Sequence, residues 1–257
     1  MNLDIGAALE GWGFQPDGLQ VRLVAGDDGR DKIQMRVELG VLQMERDGRP
    51  DGDRPHGLES LLEHHEARRD HALAVGDDFA LDAADCAELM REGMQYYRRY
   101  LSAFHLRLYD LVARDTERNL RLLAFVVRHA SRNRDRMEFD QYRPYIAMML
   151  ARALVMKAID RDDRRDALAR LDEGVARIRE FLREYDREDR EQDCSELRFL
   201  LGWRDEIARD LPPDPLARLE ARLKRAVAGE DYEDAARLRD RIRRMKSGDV
   251  PAPEAAG

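Results

Sequence analysis

Apolar and polar positions alternate in two short runs near the N-terminus, which is the period of a half-buried β-strand. The runs flank Asp27-Asp28-Gly29-Arg30, a turn sequence whose glycine is free to take a positive φ. The apolar positions are Val21, Leu23 and Ala25 in the first run, and Ile33, Met35, Val37 and Leu39 in the second. This pattern predicts a β-hairpin. Beyond Gly40 the apolar phase shifts to Leu42 and Met44, and we interpret the shift as a β-bulge at Gly40.

The period changes to that of α-helices in the middle of the chain. A polar helix is expected over 57–74, and five more helices are expected between Asp82 and Leu211. The second of these five helices is capped at Asp115-Thr116, the third follows Pro144, the fourth spans 164–185 and the fifth spans 189–209. The first helix carries six residues on one face: Leu89, Gly93, Tyr97, Tyr100, Phe104 and Leu108. The helix after Pro144 is apolar nearly all round, which predicts a central position. Short connections favour a helical bundle or a short array resembling tetratricopeptide repeats.

Breaks in these patterns divide the chain into four parts. Asp47 to Gly57 contains too much Gly and Pro for regular structure, and three prolines interrupt Leu211-Pro212-Pro213-Asp214-Pro215. We therefore expect a β-hairpin region with its loop (1–56), a helical domain (57–211), a helical hairpin (216–246) and a disordered tail (247–257). The predicted class is mainly α, with a small N-terminal β-hairpin and a C-terminal antiparallel helical hairpin.

Composition supports a helical, intracellular protein. Of the 257 residues, 38% are charged and only 7% are aromatic, which favours exposed helices over a sandwich or barrel. Cys86 and Cys194 form no CxxC pair, as expected in a reducing cytosol. The N-terminus lacks signal-peptide features, and the most apolar segment, 145–159, is shorter than the ~20 residues of a membrane span. We expect a cytoplasmic protein with no membrane contact.

Two narrow apolar seams occupy the C-terminal part. Leu216, Leu219, Leu223 and Ala226 recur at helical spacing, and Ala235, Leu238, Ile242 and Met245 repeat that spacing. Such seams pack one helix against another. Gly229 suits the residue after a helix, and Asp231 suits the N-cap of the next, with Asp234 in the reach-back position. Because the connection is short, the two helices should run antiparallel.

The segment LARLEARLKRAVAGEDYEDAARLRDRIRRM resembles the UVR motif, the helical hairpin of the excision-repair proteins UvrB and UvrC. Val227 and Met245 depart mildly from the family pattern. In that family the hairpin docks on proteins, and related hairpins occur in Clp-type stress ATPases and in activators of a protein-arginine kinase. The resemblance implies a partner-binding set of Leu216, Leu219, Leu223, Tyr232, Ala235, Ala236, Leu238, Arg239, Ile242 and Met245. The segment KIQMRVELGVLQMERDGRPDGDRPHG resembles bacterial proteins that carry the same hairpin.

The hairpin differs in charge from the rest of the chain. Residues 216–246 contain ten Arg/Lys and six Asp/Glu, a formal charge of +4, which leaves −12 for the remainder of a chain whose total is −8. This asymmetry favours an acidic protein partner, docking on the acidic helical domain, or contact with nucleic acid. Alternatively, the hairpin completes the fold or forms a homo-oligomer.

Candidate chemistry elsewhere is sparse. Arg49, Asp51, Arg54 and His56 form a candidate recognition loop, although an Arg49–Asp51 contact that merely fixes the loop is the favoured reading. Glu63 and His64 could ligate a metal, but their helix lacks metal-site spacing and is interpreted as a solvated face. QYYRRYLSAFHLRLY could stack on bases, yet its aromatic residues share one face and fit a core better.

These patterns contain no nucleotide-binding loop and no nucleophile paired with a base. We expect no catalytic residues, no metal and no cofactor. The predicted function is a non-enzymatic adaptor that binds a protein partner through the hairpin, in DNA repair or in stress-protease regulation. The alternatives are a regulator that binds nucleic acid through the basic hairpin and, more distantly, a metal-dependent enzyme.

Overall fold

The computed structural model describes residues 4–209, 215–229 and 231–246. The chain forms two compact units, Met1–Asp205 and Glu206–Gly257, which divide within the helix that begins at Ser195. Residues 211–214 of the predicted spacer and the predicted disordered tail at 247–257 lie outside the described residues, and Pro215, the last residue of that spacer, begins a helix. The fold class is confirmed: the chain is mainly α, with a small N-terminal antiparallel sheet and a C-terminal pair of helices.

The sheet has three strands rather than the two of a hairpin. Strands β1 (Val21–Ala25), β2 (Asp31–Val37) and β3 (Gly40–Glu45) are antiparallel in the order β1-β2-β3. Gly29 takes φ +74° in the predicted turn. The predicted bulge at Gly40 is wrong, because Val37 pairs with Gly40 around a turn of Glu38 and Leu39. The apolar phase shifts there because the chain reverses, and Leu39, at 90% exposure, is the tip of that turn.

The helices of the first unit follow a short helix α1 (Gly6–Leu9) and the sheet. Their bounds are α2 (Leu61–Val75), α3 (Ala83–His105), α4 (Tyr109–His129), α5 (Asn133–Asp140), α6 (Arg143–Asp160), α7 (Arg164–Glu184) and α8 (Ser195–Arg209). Short 3-10 helices, Pro55–Gly57 and Glu188–Asp193, precede α2 and α8, so the predicted helix over 189–209 begins six residues late. The sequence pattern also missed α5.

The helix starts are set by specific hydrogen bonds. Asp82 forms a capping box with Asp85 at the start of α3. The predicted cap at Asp115-Thr116 is wrong, since both residues lie buried inside α4. Thr116 Oγ1 donates to the carbonyl oxygen of Val112, 2.7 Å away, and Asp115 instead serves as the partner of a buried arginine. The polar pair Asp115-Thr116 therefore lies within a helix, where Asp115 makes a tertiary contact, and does not mark the start of a helix.

The core of the first unit lies between α3, α4, α6 and α7. Helix α6 is buried along most of its length, as its apolar sequence predicted, and it packs against α4 and α7. Gly174 permits the close approach of α7, because a Cβ at that position would lie 2.6 Å from the Cβ of Ala151. The predicted aromatic face of α3 packs into this core, with Tyr100 fully buried and with Tyr97 and Phe104 half-buried.

Buried charged groups attach the sheet and its following loop to the helices. Arg99, which is fully buried on α3, donates to both carboxylate oxygens of Asp115 at 2.6 and 2.9 Å. Its remaining donor reaches the carbonyl oxygens of Glu45 and Gly48 at 2.9 and 2.8 Å. Glu92, also on α3, accepts from the backbone nitrogens of Leu61 and Leu62. Helix α3 thereby fixes both the end of β3 and the start of α2.

Candidate functional site

Two helices form the C-terminal hairpin: α9 (Pro215–Ala228) and α10 (Tyr232–Lys246). Leu219 on α9 and Leu238 and Ile242 on α10 are buried against one another, and Leu223 and Ala226 pack on this cluster. These five residues of the predicted seams therefore lie where the two helices meet, whereas Met245 of the second seam is exposed. The seam satisfies the apolar face of each helix within the hairpin itself.

The connection between the helices has the predicted N-cap. A carboxylate oxygen of Asp231 accepts from the backbone nitrogen of Asp234 at 3.0 Å, and the Asp231 nitrogen donates to the carbonyl oxygen of Ala226. Gly229 follows the last residue of α9 and donates its N–H to the carbonyl oxygen of Arg225, but its φ is not positive. The reach-back bond expected from Asp234 is not among the contacts of the described residues; Asp234 instead lies 3.8 Å from Arg222 across the hairpin.

The predicted partner-binding residues fall into two groups. Those of the first group contribute to the interior of the hairpin: Leu219, Leu223, Ala235, Leu238 and Ile242, with Ala236 partly buried. Those of the second group face solvent: Tyr232, Arg239 and Met245. The side chain of Leu216 lies outside the described residues. Among the predicted residues whose side chains the structure describes, those of the second group are the most accessible to a partner while the hairpin stays closed.

Val227 joins this second group, although the sequence pattern did not select it. It is 52% exposed in the last turn of α9, and Tyr232 is 68% exposed at the start of α10. Because only three residues separate the two helices, both side chains lie at the same end of the hairpin, which we call the hairpin tip (Val227 and Tyr232). The sequence signal for Val227 was its departure from the family pattern, because this chain has valine where the pattern has the smaller alanine.

Charge is graded along α10. Glu233 and Asp234 occupy its first turn, where acidic groups interact favourably with the helix dipole. Arginines follow toward the C-terminal end, and all are exposed: Arg237, Arg239, Arg241, Arg243 and Arg244. Arg237 pairs with Glu233 one turn earlier. The hairpin thus presents apolar and acidic groups at its tip and a basic surface farther along α10.

The loop residues of the other candidate site do not converge on one point. Arg49 Nη2 lies 2.9 Å from a carboxylate oxygen of Asp51, and Asp51 also accepts from Gln95 on α3 at 2.7 Å. Arg54 instead pairs with Glu59 at 2.5 Å. The Arg49–Asp51 contact, which was predicted to fix the conformation of the loop, is therefore present. Nothing in this arrangement directs the four side chains toward a common ligand.

His56, the fourth residue of the candidate loop, contacts helix α2 through its ring. Its backbone has φ +53°, and its ring stacks on His64 with centroids 3.8 Å apart. The helix that carries His64 is not wholly solvated, because its neighbour His65 is buried. Burial lowers the pKa of both His64 and His65 below the ordinary histidine value and so favours the neutral form of each imidazole.

Residues suited to metal binding or covalent chemistry are not grouped. In the described ranges, no set of three or more His, Cys, Asp or Glu side chains could hold a metal ion. The Cys86 thiol is buried, and burial raises its pKa to about 11, which disfavours the reactive thiolate. The pKa of Cys194 is raised by burial as well.

Comparison with known proteins identifies the hairpin. Residues 214–248 match the UVR family model, described as the UvrB/uvrC motif. The match covers both helices of the hairpin and leaves the preceding helical unit outside it. No curated protein and no solved structure matches the chain. No helix in the part of the chain that the structure describes has the length and apolar character needed to cross a membrane.

Proposed function

We propose that this protein is a cytoplasmic, non-enzymatic adaptor whose UVR-type hairpin docks on a protein partner in DNA repair or stress-protease regulation. The observation that carries the proposal is the exposed apolar tip of a hairpin whose own seam is already satisfied. Tyr232 and Val227 are large apolar side chains with no role in the seam. Tyrosine at such a position is a frequent hot spot of protein interfaces.

The hairpin presents complementary features to a partner helix. The seam keeps α9 and α10 together, so the tip is presented on a preformed support and little conformational entropy is lost on binding. The exposed arginines of α10 then favour a partner with acidic side chains beside its apolar stripe. The proposed partner is therefore an amphipathic helix with an acidic rim.

A comparison of two double variants in the full chain tests this proposal. Val227→Ser with Tyr232→Ser removes the apolar tip, whereas Leu73→Ser with Val75→Ser removes two equally exposed apolar side chains from the end of α2. Each variant is used as bait in nuclease-treated native lysate, and bound proteins are quantified by mass spectrometry. A partner retained by the wild type and the α2 variant, but reduced about tenfold or more by the tip variant, supports the proposal. Equal recovery by all three baits contradicts it.

The basic surface of α10 favours nucleic acid as a second candidate ligand. Its five exposed arginines could contact phosphates, and such binding weakens steeply with salt. Fluorescence anisotropy with labelled single- and double-stranded DNA distinguishes the two functions. Binding whose log Kd rises linearly with log salt concentration, and which Arg241→Gln with Arg243→Gln weakens, would favour the nucleic-acid function. Unchanged binding by the tip variant would separate it from the protein-docking surface.

A further inference from the structure

A cavity of about 420 Å³ lies within the first unit, between α3, α4, α5, α6 and the first turn of α8. Its volume falls in the range of small-molecule binding sites. Its floor consists of buried side chains, among them Leu122, Phe139 and Ile146. Met94 and Tyr142, which are more exposed, lie among the lining residues toward solvent. The cavity is distinct from the hairpin and from the loop at Asp47 to Gly57.

Tyrosine rings at several angles line this cavity. The rings of Tyr97 and Tyr100 are 5.5 Å apart at an interplanar angle of 87°, and those of Tyr97 and Tyr145 are 6.1 Å apart at 58°. Their faces therefore point in different directions. The face of an aromatic ring carries negative electrostatic potential and attracts organic cations, most strongly where several rings surround the charge.

One lining residue carries a formal charge, and that charge is negative. Glu196, half-buried in the first turn of α8, lines the cavity, whereas no Arg, Lys or His does so. Glu196 Oε2 accepts from Ser195 Oγ at 3.0 Å and lies 3.6 Å from Cys194 Sγ. No cation of the described chain forms an ion pair with this carboxylate. It can therefore take a charged partner from outside.

Two of these tyrosines, Tyr100 and Tyr145, stay neutral at physiological pH. Burial raises the pKa of Tyr145 to about 12, and the Tyr97 hydroxyl and the charge of Glu196 act in the same direction, whereas the Arg152 guanidinium opposes the shift. Burial also raises the pKa of Tyr100 well above its ordinary value. Because the charge of Glu196 raises the pKa of Tyr145, the carboxylate lies within electrostatic range of the tyrosine rings that line the cavity.

We propose that this cavity binds a small amphipathic organic amine, with its ammonium group at Glu196 and the tyrosine faces. Its apolar body would occupy the floor formed by Leu122, Phe139 and Ile146. An anion of the same size would be repelled by the carboxylate. A neutral apolar molecule would fill the floor but gain nothing from Glu196.

Three probes that share an aromatic body test the chemistry of the head group: phenethylamine, phenethyl alcohol and phenylacetate. Each is titrated into the full chain by isothermal calorimetry, with ligand-observed NMR for weak binding. We expect phenethylamine to bind about tenfold or more tightly than the alcohol, because a charge-assisted contact is added. Phenylacetate should bind most weakly.

Matched substitutions place this binding in the cavity. Glu196→Gln keeps the shape of the side chain and should abolish the preference for the amine, while affinity for phenethyl alcohol changes little. Glu180→Gln, the same substitution at an exposed position on α7 outside the cavity, should bind all three probes like the wild type. Tyr97→Leu removes one ring of the wall and should weaken binding of the amine several-fold more than binding of the alcohol.

Thermal unfolding followed by circular dichroism verifies that each variant folds. The proposal is overturned if phenethylamine fails to bind the wild type, if the three probes bind equally, or if Glu196→Gln retains the preference for the amine. Should Glu196→Gln fail to fold, the same decision rests on Tyr97→Leu. Because the site lies in the first unit, these results are independent of whether the hairpin docks on a protein.

Discussion

Arg99 and Asp115 show how a single buried pair organises the N-terminal half of the molecule. The guanidinium satisfies both carboxylate oxygens of Asp115 and two backbone carbonyls that end β3 and begin the following loop. Both side chains are buried, so removal of Arg99 leaves the Asp115 carboxylate in the protein interior with the longer contact from Arg114 Nε at 3.3 Å. This pair could not be found from the sequence, because Asp115 looks like a helix cap until its tertiary partner is known.

Replacement of Arg99 tests this role. We expect Arg99→Met to lower the free energy of unfolding by about 3–5 kcal/mol, measured by urea denaturation, because the buried Asp115 loses both charge-assisted hydrogen bonds from Arg99 and keeps the longer contact from Arg114 at 3.3 Å. Arg99→Met with Asp115→Leu should recover part of that loss, since the buried carboxylate is gone. Recovery should be incomplete, because the carbonyls of Glu45 and Gly48 still lack their donor. A double variant no more stable than the single one would show that the buried Asp115 carboxylate is not the main cost of removing Arg99.

His65 makes a pH-dependent contribution to stability. Its imidazole is buried, Nδ1 lies 3.0 Å from Arg68, and Asp85 is 4.0 Å from Nε2. Burial lowers its pKa in the folded chain despite the opposing effect of Asp85. The unfolded chain therefore binds a proton that the folded chain does not, and stability is lost as pH falls through 6.5, the ordinary histidine value.

His65→Asn separates this contribution from those of other groups. Asparagine keeps an acceptor for Arg68 but does not titrate, so the unfolding free energy of the variant should depend less steeply on pH below 6.5 than that of the wild type. Part of the dependence should remain, because His64 and His129 also have lowered pKa values. An identical slope in both proteins would show that the pKa of His65 is the same in the folded and the unfolded chain.

At the scale of elements, the hairpin was predictable from local spacing. The residues of each seam recur within one helix, so the period alone selected Leu219, Leu223, Leu238 and Ile242, and the structure places them together. The turn at Glu38 and Leu39 was missed because a bulge and a tight turn produce the same one-position shift in apolar phase. The late start of α8 was missed because the sequence before Ser195 is as polar as the first turn of many helices.

The seam and the tip should respond differently to substitution. Leu238→Asp with Ile242→Asp places two charges in the seam, so we expect the hairpin to unfold while the first unit keeps its hydrogen-exchange protection. Val227→Ser with Tyr232→Ser should leave the hairpin protected, because neither side chain belongs to the seam. Hydrogen exchange measured by mass spectrometry reports on both segments in one experiment. Equal loss of protection in the two variants would mean that the tip also holds the hairpin together.

Across the whole molecule, charge and composition were the most informative global signals. They correctly indicated a mainly helical chain, and they separated a hairpin of charge +4 from a remainder of charge −12. The cavity and the buried polar contacts were beyond sequence reasoning. Gly93, Asn119, Tyr145 and Glu196 line one cavity but come from four helices, and no local period brings such positions together. The proposed docking surface at the hairpin tip was likewise beyond sequence reasoning, since most of the seam residues that dominate the sequence pattern face inward.

Photocrosslinking from the hairpin tip tests the proposed docking on a protein partner most directly. Benzoylphenylalanine at position 232 replaces one aromatic side chain with another, and the same group at position 73 samples an equally exposed site on α2. If the tip docks on a protein partner, irradiation in native lysate should crosslink position 232 to a discrete protein distinct from this chain. Position 73 should give no such crosslink. Crosslinks that are the same from both positions, absent from position 232, or confined to nucleic acid or a second copy of this chain would contradict the proposed docking.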